Sequence, residues 1–214
     1  LFTTADANAK DSVYLYVLGI AQDGGCPQAG CYQPHCMRSW EDKSLRRLVS
    51  SVAVVDELNK AKYLFDATLD IREQLYELHR IASDSEFQLG GVFLTHGHIG
   101  HYAGLMHFGH EAMGAQGVVV YAMPRMRNFL SSNGPWDQLV RYENIELVAL
   151  EKNKTTNLPG QLAVTPFLVP HRDEYTETVG YRIDGPNKSA VFIPEQAGSP
   201  DVQSFRKALC EPGV

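Results

Sequence analysis

The run Gly91-Val92-Phe93-Leu94 is followed by Thr95-His96-Gly97-His98-Ile99-Gly100-His101-Tyr102, which places three histidines at the end of a short apolar strand, at offsets of zero, two and five residues. Side chains alternate in extended chain, so His96 and His98 share a face and their imidazoles can converge on one ion. This is a metal site in outline. His171 stands in the same relation to a later apolar run, Leu162 to Val169. Asp66 closes the run Ala61 to Phe65, where a carboxylate can accept the N–H of a ligand histidine and fix its orientation. The blander reading is a chance cluster of loop histidines, with Asp66 capping a turn.

A second group of ligand types lies in the loop from Ala21 to Cys36. Cys26, Cys31, His35 and Cys36 make a Cys₃His set, which in tetrahedral geometry closes a structural zinc site. Against it, the spacing is loose, neighbouring His35 and Cys36 rarely serve one ion together, and Cys210 can replace a member. The alternative is a loop of free thiols, one or two packed as small hydrophobes. Four cysteines are too few for a disulfide scaffold in 214 residues, and three within eleven positions favour metal over disulfide. Gly24-Gly25 fits neither a dinucleotide-binding nor a P-loop fingerprint.

The elements that must position these groups are mostly strands. Ser12 to Ile20, Ser50 to Val55 and Ala61 to Phe65 are β-branched and aromatic, the last two forming a hairpin around Asp56 to Lys60. Ile71 to Ile81 has helical spacing, and His101 to Met113 has helical composition, which puts His101 near a helix N-terminus where the dipole favours neutral imidazole. His107 and His110 would share a solvated face of that helix. Strands are expected at Gly117 to Tyr121, Ile145 to Leu150 and Leu162 to Val169, with a hairpin from Thr178 to Ile193 and a helix over Arg125 to Leu130. Trp136, after the turn Ser132 to Pro135, either walls a pocket or plugs a core.

A 44% hydrophobic, 21% charged composition suits one globular domain over residues 13–214 behind a loose tail at 1–12. Net charge −6 with scattered basic residues argues against nucleic acid or an anionic membrane as partner, which leaves a small-molecule substrate and an open oligomeric state. No apolar run approaches the roughly 20 residues that span a bilayer. The start at Leu1 and the Ala7-Asn8-Ala9 triplet are compatible with a removed leader, so the expected location is either cytoplasmic or exported.

Together these residues resemble the metallo-β-lactamase superfamily, and within it the PQQ-biosynthesis protein B (PqqB)-like branch. The resemblance rests on Gly19 to Gly25, Thr95 to Tyr102, Asn133-Gly134-Pro135-Trp136 and Val169-Pro170-His171-Arg172-Asp173-Glu174, and it spans about Val13 to Pro194. It implies an α/β fold, the αββα four-layer sandwich, shortened or interrupted near the C-terminus, with a metal centre at one edge of the sheets. In the superfamily's His-x-His-x-Asp-His run the first two histidines and a later one hold one zinc, matched here by His96, His98 and His171. The Asp and last His hold a second, but Gly100 replaces the Asp and His101 alone remains. Relatives carry a bridging Asp after Ile193-Pro194, where this chain has Glu195, so one ion is expected rather than two.

Three neutral histidines with an open position bring the pKa of a bound water to about 7. The first expectation is therefore a zinc-dependent hydrolase acting on an ester, phosphodiester, thioester or lactam bond, with His101 or Asp173 as proton carriers. The second is an oxidative step in PQQ biosynthesis with iron in the same site. The third is a binding or carrier module that has lost its second metal site.

Overall fold

The computed structural model describes residues 13–195. The expected tail at 1–12, the Ala7-Asn8-Ala9 triplet and Cys210 lie outside the described residues. The chain runs β1 (Val13–Gly19), α1 (Pro34–Glu41), β2 (Ser51–Asp56), β3 (Ala61–Phe65), α2 (Ile71–Ile81), β4 (Gln88–Phe93) and α3 (Ile99–Tyr102). It continues through β5 (Val118–Ala122), α4 (Pro124–Ser132), α5 (Trp136–Arg141), β6 (Ile145–Ala149), β7 (Thr156–Asn157), β8 (Ala163–Leu168), β9 (Val179–Asp184) and β10 (Ser189–Phe192).

Strands β1 to β6 form one sheet in sequence order, and β10-β9-β8-β7 form a second. The β2–β3 hairpin is antiparallel, while β3, β4, β5 and β6 pair in parallel through helical crossovers. Strands covered on both faces need near-continuous apolar runs, and in β2, antiparallel to both neighbours, all six residues are buried. One face of the first sheet packs under the helices, through Leu64, Val92, Ile71, Leu78, Met126 and Leu130. The other meets the second sheet, where Phe65, Phe93 and Tyr121 stack on one another and Tyr181 and Phe192 meet them edge-on. Helix, sheet and sheet are thus the layers in the described residues, in the order expected of the sandwich. The fourth layer, helices over the second sheet, is not among the described residues.

Two local expectations are corrected. Helical composition over His101 to Met113 yields only the four-residue α3 and a 3₁₀ stretch, Ala103–Phe108. A Cβ on Gly104 would come 2.2 Å from the Thr68 oxygen, so this segment is docked backbone to backbone on the loop after β3 and does not run on as a helix. Conversely, α1 emerges inside the cysteine loop, with Pro34 at its first turn, where a missing N–H costs nothing. Trp136 settles into the core, 8% exposed, with its ring 5.0 Å from that of Tyr102.

Candidate metal centre

The histidines emerge where β4 ends. Leu94 and Thr95 continue the strand's path, with the Thr95 oxygen accepting from the Val179 N–H and the Leu94 oxygen from the Tyr181 hydroxyl. Gly97 lets the second sheet's loop approach: a Cβ there would meet Thr176 at 2.7 Å, and the Gly97 N–H donates to the Thr176 hydroxyl at 2.8 Å. That loop, after β8, carries His171 to the same place.

Four ligand atoms converge. His96 Nε2 and His98 Nδ1 are 3.0 Å apart, and His171 Nε2 lies 3.1 Å from His98 Nδ1. Glu195 Oε2 lies 2.9 Å from His171 Nε2, 3.4 Å from His96 Nε2 and 3.7 Å from His98 Nδ1. Zinc bonds of about 2.0–2.1 Å in a tetrahedron separate ligands by roughly 3.3 Å, so this donor set fits one divalent ion. Burial pushes the His96 and His171 pKa values down, towards the neutral imidazole that a metal needs.

Hydrogen bonds around the set decide which nitrogens face inward. Asp66, fully buried at the end of β3, accepts from the Thr95 N–H at 2.8 Å and from the Thr95 hydroxyl at 2.9 Å. That hydroxyl has one proton, so towards His96 Nδ1, 3.0 Å away, it accepts, which leaves His96 Nε2 as a lone pair. Asp66 Oδ2 also takes His101 Nδ1–H at 2.8 Å. Glu174 Oε2, 2.9 Å from His98 Nε2, does the same for His98 and frees its Nδ1. Asp66 thus touches His101 directly and reaches His96 through Thr95.

His101 sits behind this set, fully buried, with Nε2 3.5 Å from Glu195 Oε1 and without a hydrogen bond among the described residues. Burial alone would lower its pKa, but the Asp66 and Glu195 carboxylates outweigh that and lift it to about 10. Its orientation comes from Asp66 and not from a helix dipole, since α3 has only four residues. Glu195 is held well below the usual carboxylate range: burial pushes it up, and the neighbouring His101 and His96 more than reverse this. Asp23, in the loop after β1, has its ligand oxygen within 4.8 Å of those of His101 and Glu195, and burial together with Glu195 pushes its pKa up.

Asp173 is turned away, accepting from the Thr178 hydroxyl at 2.8 Å; the carboxylate this loop brings to a histidine belongs to Glu174. In the cysteine loop Cys31 and Cys36 form a disulfide, their Cα atoms 6.0 Å apart as α1 folds Cys36 back. None of Cys26, Cys31 and Cys36 is a free thiol in this structure, while the ligand atoms of Cys31, His35 and Cys36 lie within 4.8 Å of one another, so the disulfide and the expected Cys₃His zinc loop compete for the same sulfurs. His35 stays beside the pair, Nε2 3.6 Å from Cys31 Sγ. Sequence reasoning missed Glu195, Glu174 and Asp23 as members of the site. Glu195 carried the plainest signal, as an acid directly after Pro194 where relatives carry another, while Glu174 and Asp23 stood inside the resembling stretches Val169 to Glu174 and Gly19 to Gly25 with no role assigned.

A sheet-edge cluster of histidines and carboxylates over two packed sheets defines a class, and residues 61–208 match the family described as beta-lactamase superfamily domain. The chain belongs to this superfamily. Within it the chain is PqqB-like. It is 28% identical over 204 residues to a coenzyme PQQ synthesis protein B of Methylorubrum extorquens, covering 87% of this chain and 66% of that protein. A protein of the same name from Xanthomonas oryzae pv. oryzae is 27% identical over 211 residues, covering 90% and 68%. Among solved structures, zinc-bound PqqB from Methylobacterium extorquens superposes with a TM-score of 0.69 at 25% identity, over 85% of this chain and 65% of that one. A diphosphatase of the PhnP family gives 0.58 at 26%, over 80% and 61%. The chain therefore spans about two thirds of the length of these relatives.

Proposed function

We propose that this chain is a metal-dependent hydrolase, with His96, His98 and His171 holding one divalent ion, zinc foremost, and Glu195 as a fourth donor. The observation that carries this is the convergence of His96 Nε2, His98 Nδ1, His171 Nε2 and Glu195 Oε2 at 2.9–3.7 Å, the spacing of a first-row metal's ligands. Such an ion, when bound, acidifies a water to near-neutral pKa and polarises a carbonyl or phosphoryl oxygen. The chain's own groups do the rest. Thr95, Asp66 and Glu174 lock the imidazole tautomers. His101, 3.5 Å behind Glu195, is placed to exchange a proton with it. Glu174, half exposed on the rim beside His98, takes the acid–base role that Asp173 is turned away from.

A panel of diphosphate, phosphodiester, thioester, ester and lactam substrates tests this. We expect turnover of at least one, abolished by chelation and restored by zinc. Absence of chelator-sensitive turnover across the panel would overturn it.

The likeness to PQQ synthesis protein B supports a second reading, a metal-dependent oxidative step in making that cofactor, with iron in the same site. Stoichiometric iron and oxygen uptake with a tyrosine-derived substrate would favour it over hydrolysis. The binding-module reading stands on Gly100 and Glu195 alone and ranks third; rapid chelator-sensitive turnover excludes it.

A further inference from the structure

Gly100, at the position where the superfamily's run carries its second-site aspartate, has a neighbour that requires it. A Cβ on Gly100 would lie 2.6 Å from the Asp23 backbone oxygen and 3.1 Å from its Cα. The β1–α1 loop therefore fills the space into which a side chain at 100 would project. It brings its own carboxylate there, with Asp23 at φ 43°, a left-handed conformation that Asp tolerates better than most residues.

The ligand atoms of Asp23, His101 and Glu195 lie within 4.8 Å of one another. His101 Nε2 faces them fully buried and without a hydrogen bond among the described residues, while its Nδ1 is committed to Asp66. Glu195 contributes its second oxygen: Oε2 serves the three-histidine set and Oε1 lies 3.5 Å from His101 Nε2. Among the described residues neither Asp23 nor Glu195 pairs with a Lys or Arg, so the buried His101 imidazole is the basic group that lies between these two neighbouring carboxylates. Such a cluster calls for positive charge.

We propose that Asp23 supplies, from the β1–α1 loop, the carboxylate missing at position 100, so that Asp23, His101 and Glu195 hold a second divalent cation. This rests on the three-histidine site as the first position, with Glu195 shared between the two; when the second ion is bound, His101 is a ligand and the proton carrier is Glu174 alone. One imidazole and two carboxylates form a harder donor set than three imidazoles, suited to zinc, manganese or iron(II).

The test is metal counting on the full chain after equilibrium dialysis against Zn²⁺, repeated with Co²⁺ to read the ligand field, for wild type, Asp23→Asn and His96→Ala. Asn tolerates the same backbone conformation, and circular dichroism reports whether each variant is folded. We expect two ions per wild-type chain and one in Asp23→Asn, the second ion's dissociation constant weakened more than about 100-fold. That exceeds the roughly 10–100-fold of an outer-shell change. Two ions held equally well by Asp23→Asn would overturn the inference. One ion in wild type, lost in His96→Ala, would overturn it and leave the three-histidine reading intact. No ion in wild type would overturn both.

Discussion

His96, His98 and His101 owe their orientation to groups one bond further out, and the groups differ in cost to remove. Asp66 is fully buried, accepts from Thr95 and His101, and sits at φ 66°. Asp66→Ala removes three hydrogen bonds and leaves buried donors unsatisfied, so a loss of about 2–4 kcal/mol of stability is expected in urea denaturation. Thr95→Val removes the hydroxyl's bonds to His96 and to Asp66 but keeps the backbone N–H donation to Asp66. It should keep the fold and weaken zinc binding about 10–100-fold, measurable by competition with a chromogenic chelator. Glu174 is half exposed, so Glu174→Gln should cost less than Thr95→Val in the same assay. A larger effect from Glu174→Gln would refute this ordering.

The elements hold the histidine turn by backbone contact more than by side chains. The Ala67 N–H donates to the His101 oxygen and the Gly104 N–H to the Ala67 oxygen, each at 2.9 Å. Gly104→Ala would force a methyl group against the Thr68 oxygen and push α3 off its seat. The expected result is more than about 2 kcal/mol of destabilisation together with weakened metal binding. On β3, burial between the sheets pushes the Tyr63 phenol up to about 12. A folded pKa above the unfolded value of 10 means stability that is complete below pH 10 and lost as pH rises through about 12. Absorbance at alkaline pH should show this tyrosine ionising late or only with unfolding, with the fully buried Tyr181 later still, and Tyr63→Phe should remove its share.

The strands were legible because their apolar and β-branched runs carry a period or a length that survives without tertiary context, and His96, His98, His171 and Asp66 were legible because they sit at the ends of those runs. What escaped had no local signature. The close approach of Gly104 to Thr68 converts a helical composition into a short turn. Glu195 meets His96, His98 and His171 only once the two sheets pack, and Asp23 lies in a Gly-rich loop with nothing to set it apart. The cysteine loop was read for ligand types, while the turn into α1 brings Cys31 and Cys36 within bonding distance.

At the scale of the whole molecule the centre joins two layers. His96, His98 and His101 follow β4 of the first sheet, whereas His171 follows β8 and Glu195 follows β10 of the second. An ion held by this set fastens the sheets, so it stabilises the folded state by mass action, about 2.7 kcal/mol at a hundredfold excess over its dissociation constant. Chelation should therefore lower Tm, and hydrogen exchange should quicken in β8, β9 and the 170–178 loop before it does in β2 and β3. A Tm indifferent to chelator and zinc would contradict this.

X-ray absorption at the zinc edge, on protein loaded with one equivalent of Zn²⁺, reads the identity of the ligands directly. We expect a shell of three imidazole nitrogens and one or two oxygens at about 2.0–2.2 Å, with no sulfur, lost in His96→Ala and in His171→Ala. Sulfur at about 2.3 Å, or a spectrum unchanged by either substitution, would place the metal elsewhere and contradict it.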